Sequence, residues 1–336
     1  MSTLEARQLS VIFRQRGAAP LRAVDDVSFT LRPGETLALV GESGSGKSTV
    51  VRALADLQRL TGGTILLDGE AVRHGRRALR AYRRQVQVVF QDPFASLNPA
   101  HSVAHHLARP LLIHGLVGRG GALETKVAEL LESVNLVPPD QVARRRPHEL
   151  SGGQRQRVAI ARALAPEPSV LLADEPVSML DVSVRLEILN LLADLERQRN
   201  LAMLYVTHDL ATARHFSTKI LVMYRGRVVE RGATDDVILH SAHPYTRLLA
   251  SATPDPTKTK QQLAEERQAR QAGRKGRVGK RIPVSTDVGC PFRSRCPEAM
   301  DVCGAESPQE LTVEAGHTAC CWLYDGVPPR QTGLYS

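Results

Sequence analysis

The chain has 336 residues, 42% hydrophobic and 24% charged, a soluble globular composition with room for one large domain or one domain plus an extension. No apolar run approaches the roughly 18 residues that span a bilayer, and the start, MSTLEARQLSVIF, has no charged-then-apolar export signal, so a cytosolic chain with at most a peripheral membrane role is expected. The net charge of +9 does not point to nucleic acid, because nine Lys or Arg against Glu265 and Glu266 between Lys258 and Arg281 supply most of it, with no aromatic there to stack on a base; that stretch reads as a solvated linker, with contact to anionic lipid headgroups as the alternative.

In chain order, VSFTL (27–31) alternates apolar and polar residues like a half-exposed antiparallel strand. ETLALV (35–40) is almost continuously apolar, which suits a strand buried on both faces. Further short apolar runs fall at TILL (64–67), VQVVF (86–90), VLLA (170–173), AMLYV (202–206) and ILVMY (220–224). Between Phe90 and Val170 helical patterns replace them, at 101–113, 123–134 and 153–165. Val184, Ile188, Leu191, Leu192 and Leu195 make one helical apolar stripe. MYRGRVVER reads as a hairpin turning at Gly226, and the chain holds no internal repeat. The expectation is an α/β domain over 1–252, a parallel sheet wrapped by helices, with a helical subdomain inserted at about 92–168. A basic linker (253–288) and a cysteine-bearing tail (289–336) follow.

GESGSGKST (41–49) satisfies G-x-x-x-x-G-K-[ST] directly after a buried strand and before a helix, the context that a phosphate cradle requires. Glycines let backbone N–H groups converge on phosphate oxygens, and the helix start adds its positive end. Gly41, Ser43, Gly44, Ser45, Gly46, Lys47, Ser48 and Thr49 are therefore assigned to nucleotide, with Lys47 on the β- and γ-phosphates and Ser48 on Mg²⁺. SVLLADEP (169–176) supplies two carboxylates at a strand end. Asp174 is expected to hold Mg²⁺, and Glu175 to polarise the attacking water as general base.

A second glycine stretch, LSGGQRQRVAIARAL (150–164), also opens a helix but carries no lysine after its glycines. It makes an anion site without the means to be a second P-loop in cis. Ser151, Gly152, Gly153 and Gln154 are accordingly expected to face the γ-phosphate held by a different subunit, so that nucleotide joins a dimer and hydrolysis releases it.

At LSGGQ the chain resembles the ATP-binding subunit of an ABC transporter, and residues from about 4 to 250 fit that family in order. The resemblance implies an ABC-type P-loop fold with parallel core sheet, antiparallel β subdomain and inserted helical subdomain. It also implies roles by motif. Phe13 resembles the aromatic that stacks on adenine, and Gln91 the glutamine that touches Mg²⁺ and senses the membrane subunit. Asp181 in SMLD resembles the aspartate of the loop that crosses the dimer. His208 in YVTHD resembles the histidine on the γ-phosphate that holds the attacking water.

QDPFASLNP after the glutamine, HPYTRLLASATP at the end of the domain and GCPFRSRCPEAMDVC in the tail together resemble the peptide and nickel importer subfamily. That resemblance implies uptake of di- or oligopeptides, with nickel, glutathione or another small solute as alternatives. It implies a second, homologous but non-identical ABC ATPase, two transmembrane permeases and an extracytoplasmic solute-binding protein. Location at the cytoplasmic face of the inner membrane is implied as well. A soluble ABC ATPase serving a non-transport enzyme complex, such as phosphonate metabolism, is the other reading. A free-standing kinase has no use for LSGGQ together with VTHD.

All five cysteines, Cys290, Cys296, Cys303, Cys320 and Cys321, lie near the end of the chain. Their intervals match neither a zinc finger nor the bacterial ferredoxin run, and disulfides are disfavoured in a reducing cytosol. Four thiolates around one metal centre is the favoured reading and free thiols the alternative. In the peptide-importer subfamily this cysteine pattern resembles a [4Fe–4S] site, with zinc as the other candidate; by motif, the first cysteine of GHTACCW aligns with the last ligand. The implied ligands are Cys290, Cys296, Cys303 and Cys320.

Overall fold

The computed structural model describes residues 2–14, 17, 19–73, 75–252 and 288–328. The basic linker, apart from Val288, and the last eight residues of the tail lie outside them. Among the described residues no helix is long and apolar enough to cross a membrane.

Alternating sequence makes the first sheet. β1 (Leu4–Phe13) pairs antiparallel with β2 (Leu21–Leu31), and Leu4, Leu9, Val11, Val27 and Leu31 are buried from its pleat. The apolar run 35–40 forms β3 (Glu35–Val40), buried from Thr36 onward, and the P-loop leads from it into α1 (Lys47–Leu54). β4 (Gly62–Leu67) and β5 (Glu70–Ala71) complete the antiparallel layer in the order β2-β1-β4-β5. α2 (Arg76–Gln85) then enters β6 (Val86–Val89).

The inserted subdomain comprises α3 (Pro93–Ser96), α4 (Val103–Ile113), α5 (Gly121–Ser133), α6 (Pro139–Arg144) and α7 (Gly152–Leu164). Leu107, Leu111, Leu130, Leu131 and Leu164 are buried in a shared core. The chain returns through β7 (Val170–Asp174), α8 (Val182–Arg199), β8 (Ala202–Thr207) and α9 (Leu210–Phe216). The expected stripe on α8 packs inward: Ile188, Leu191, Leu192 and Leu195 are buried. β9 (Lys219–Tyr224) and β10 (Arg227–Ala233) form the expected hairpin, with Arg225 and Gly226 both at positive φ. α10 (Thr234–Leu239) and α11 (Pro244–Ala252) follow.

The second sheet runs in the order β11-β12-β10-β9-β3-β8-β7-β6, its two tail strands being β11 (Leu311–Glu314) and β12 (His317–Ala319). β9, β3, β8, β7 and β6 are mutually parallel. Register sets Val40 beside Thr207 and Asp174 beside Val206. The loops leaving β3, β7 and β8 therefore emerge on one rim, the carboxyl edge where open α/β sheets bind ligands.

The tail does not stand apart as a small unit dependent on its own core. β12 pairs with β10, Glu230 opposite Ala319 and Arg231 opposite Thr318, so the tail extends the cassette's sheet. A buried polar knot secures this junction. One oxygen of Glu230 accepts from Ala242 N at 2.6 Å and His317 Nε2 at 2.7 Å, and the other from His243 N at 2.9 Å. Phe292, fully buried, packs against Tyr224, Tyr245 and His243.

Candidate active site

The P-loop glycines are required by space. A Cβ on Gly41 falls 2.2 Å from the carbonyl oxygen of Met223, and one on Gly46, whose φ is +107°, falls 2.1 Å from that of Ala23. No side chain caps α1, which leaves its first N–H groups turned to the loop. Ser45 Oγ is buried and has no hydrogen-bond partner among the described residues. Lys47, only 4% exposed, donates to the carbonyls of Gly41 (2.7 Å) and Glu42 (3.0 Å). Burial lowers its pKa, while Glu175 and Asp174 pull it back up.

The two carboxylates behave differently because of where β7 ends. Asp174, its last residue, is buried and accepts from Ser48 Oγ at 3.1 Å. Burial raises its pKa, offset by the Ser48 hydrogen bond. Serine hydroxyl and carboxylate side by side are hard oxygen donors of the kind Mg²⁺ takes. Glu175 has left the strand: its φ is +47°, a left-handed conformation unusual for a non-glycine residue. Its backbone N–H donates to Val206 O. Its side chain collects three of the sequence-assigned residues, with Gln91 Nε2 at 3.2 Å, His208 Nδ1 at 3.3 Å and Lys47 Nζ at 3.9 Å. A carboxylate bracketed by an amide, an imidazole and the P-loop lysine has the chemistry of a proton acceptor.

Lys47, Gln91, Glu175 and His208 border a cleft of about 1200 Å³, lined also by Phe13, Ser43, Gly44, Gly46, Ser48 and Thr49. Ser151, Gly152, Gly153 and Gln154 do not line it. They start α7, where Ser151 Oγ accepts from Gln154 N (3.2 Å) and Gln154 Oε1 from Ser151 N (3.1 Å), a reciprocal cap. Gly153 is held against α8; a Cβ there meets Val184 Cγ1 at 2.7 Å. Asp181 is exposed at the start of α8, beside exposed Met179 (55%) and Val182 (81%). Thus the P-loop, Gln91, Asp174, Glu175 and His208 come together, whereas the signature and Asp181 stand away from their own chain's cleft.

Sequence reasoning missed one wall of the cleft. Gly289, Pro291 and Ser307 of the tail line it. Glu42, an unspecified position in the P-loop pattern, donates its N–H to Tyr245 Oη (2.8 Å) and pairs its carboxylate with Arg295. HPYTRLLASATP and the tail motif carry the subfamily resemblance and the cysteines, but neither signals contact with the P-loop.

Those cysteines require a correction. Cys290, Cys296, Cys303 and Cys321 line one small cavity together with His243, Phe292 and Trp322. Cys320 is not among them; its thiol points to Val228 O at 3.4 Å. The fourth thiol at the cavity is therefore Cys321 rather than Cys320. All five cysteines are free, and burial pushes Cys321 up to about 11 and raises Cys290 and Cys296. In kind and number these thiols suit a four-thiolate centre. Room does not: the cavity is about 10 Å³, the space of one water-sized sphere. Among the described residues no group of three or more His, Cys, Asp or Glu stands in metal-holding geometry.

Comparison with known proteins shows the family. Residues 24–178 match the family described as "ABC transporter", and residues 229–303 the one described as "Oligopeptide/dipeptide transporter, C-terminal region". The "Di/tripeptide transport ATP-binding protein DppF" of Pseudomonas aeruginosa (strain UCBPP-PA14) is 42% identical over 310 residues, 91% of each chain. Among solved structures, cbiO1 from Clostridium perfringens, part of the ABC transporter complex cbiONQ, matches with a TM-score of 0.62 at 27% identity, covering 70% of this chain and 90% of that one. The ATP-binding cassette MJ0796, a dimer in a post-hydrolysis state bound to ADP and Pi, matches at 0.60 and 29% identity, over 69% and 98%. With its P-loop, Glu175 bracketed by Gln91 and His208, and a separate signature helix, the chain belongs to the ABC transporter family, as an ATP-binding protein carrying the oligopeptide/dipeptide transporter C-terminal region.

Proposed function

We propose that this chain hydrolyses ATP to power a membrane importer of peptides. The observation that carries this is the convergence of Gln91, His208 and Lys47 on Glu175 at the rim of the P-loop cleft, joined to near full-length similarity to a di/tripeptide transport ATP-binding protein.

Phe13, on the cleft wall, offers its ring to adenine, and the P-loop amides and Lys47 take the phosphates. Ser48, Asp174 and Gln91 would hold Mg²⁺, which would supply charge neutralisation at the phosphates. Glu175 takes the proton of the attacking water, and His208 keeps that water in line. Ser151 to Gln154 and Asp181 serve the ATP of a second ABC subunit, homologous and non-identical, which explains their distance from the home cleft. Closure of the pair on ATP switches two permeases at the cytoplasmic face of the inner membrane, fed by an extracytoplasmic binding protein. Nickel, glutathione or another small solute is the alternative cargo; no observation favours the non-transport reading.

For the tail, four cysteines about one cavity support a four-thiolate centre on Cys290, Cys296, Cys303 and Cys321, [4Fe–4S] before zinc, provided the thiols part to admit it. Iron and zinc analysis of anaerobically purified chain, with a visible spectrum, tests this; absence of both metals overturns it.

Glu175→Gln tests the main reading. Steady-state hydrolysis falls by two or more orders of magnitude, roughly the worth of a general base, while equilibrium binding of ATP stays intact. Retained turnover removes Glu175 from that role.

A further inference from the structure

We propose that Arg295 of the tail is a positioning residue for the P-loop, setting the resting place of Lys47 through Glu42 and so making nucleotide affinity depend on the folded state of the tail.

Glu42 is held by three handles. Its carboxylate takes both prongs of the Arg295 guanidinium, Nη1 to Oε2 and Nη2 to Oε1, each at 2.8 Å. Its backbone N–H donates to Tyr245 Oη at 2.8 Å. Its carbonyl accepts from Lys47 Nζ at 3.0 Å, next to the Gly41 carbonyl at 2.7 Å. The Lys47 ammonium is thus seated on a residue whose two other attachments lead toward the tail.

Those attachments are themselves fixed by packing. The Arg295 guanidinium lies over the rings of Phe292 (5.6 Å) and Tyr224 (5.9 Å), where the ring faces favour a cation. Phe292 is 1% exposed and meets the Tyr245 ring at 5.5 Å. It also lines the cavity shared by Cys290, Cys296, Cys303 and Cys321. A continuous set of contacts therefore runs from the cysteines through Phe292 to Tyr245 and Arg295, then through Glu42 to Lys47. The Arg295 pair lowers the Glu42 pKa, as a two-pronged charged hydrogen bond does. Both side chains are 40% exposed, so the pair contributes orientation more than raw energy. Coupling of this kind is reciprocal: a tail that tightens nucleotide binding is itself steadied by nucleotide.

This inference deepens the ATP-site reading and rests on it. The experiment uses the full-length chain with a fluorescent N-methylanthraniloyl ATP and Mg²⁺, reading dissociation constant and ATPase kinetics. Arg295→Ala and Glu42→Gln each weaken binding about three- to tenfold, the loss of one charge-assisted two-pronged contact. KM for ATP rises by a similar factor, while kcat stays within about twofold. The double variant is no weaker than either single, because both cut the same link, and Arg295→Lys lies between. Trp322, the one tryptophan of the chain, reports through its emission whether the tail remains folded. Should Arg295→Ala disturb that emission, Glu42→Gln decides, since it changes no tail atom. Unaltered affinity in Glu42→Gln, or a double variant whose loss is the product of the singles, overturns the proposal. A wild-type chain that fails to bind the nucleotide overturns the underlying ATP-site reading instead.

Discussion

His243 shows how one buried side chain makes the cassette–tail junction sensitive to acid. Its Nδ1 accepts from Tyr245 N at 3.0 Å, capping α11, and its backbone N–H donates to buried Glu230. Only a neutral imidazole can accept there. Burial pushes its pKa down to about 4, against the upward pull of Glu230. The folded value thus lies below the unfolded one, near 6.5. Above 6.5 the contribution is fully present; as pH falls from 6.5 through about 4, the unfolded chain takes up a proton that the folded chain refuses, and stability is lost. At most roughly 3 kcal/mol is at stake. His243→Asn, which keeps a short cap without a titrating ring, should melt higher relative to wild type at pH 4.5 than at pH 7.5. Thermal unfolding at both pH values measures this. Parallel losses in the two proteins would exclude His243 as the source.

Secondary elements were legible where their signal is local. β3, β7, β8 and β9 fall on the apolar runs read from sequence, and α4, α5 and α7 within two residues of the helical stretches, because period and end signals lie within each segment. The gathering of Lys47, Asp174, Glu175 and His208 at one rim was legible for a related reason. Parallel strands that end just before Gly41, at Asp174 and just before His208 must deliver the residues there to the same edge. What sequence could not show depends on register between distant segments. β12 is three residues long, and nothing within it says that it will lie on β10. Hence the difference at the cysteines: adjacent residues leaving a strand point to opposite sides, so Cys320 turns to Val228 O while Cys321 lines the cavity. Motif alignment carries no such parity. Glu42 and Arg295 escaped notice likewise, since each sits in a motif known for its neighbours and only the fold brings them together.

At the scale of the whole molecule, the separation of signature from cleft makes a sharp distinction between cis and trans action. Gly152 is the informative position. A Cβ there finds only Leu180 Cδ2, at 3.6 Å, so a larger residue fits without strain, and α7 begins at this residue. A negative charge in the first turn of a helix is favourable to the helix itself by about 0.3–1 kcal/mol. Gly152→Asp should therefore fold as well as wild type. If the signature serves a phosphate in the opposing subunit, the same carboxylate meets a highly charged anion across the dimer, and closure suffers. The expected result is unchanged dissociation constant for ATP on the isolated chain, with ATPase activity of the assembled transporter lowered tenfold or more, about 1.4 kcal/mol or greater in the closed state. Isothermal titration on the chain and phosphate release by the complex separate the two. A weakened dissociation constant on the isolated chain would mean that the signature reaches its own nucleotide. Normal turnover would mean that no phosphate ever comes opposite it.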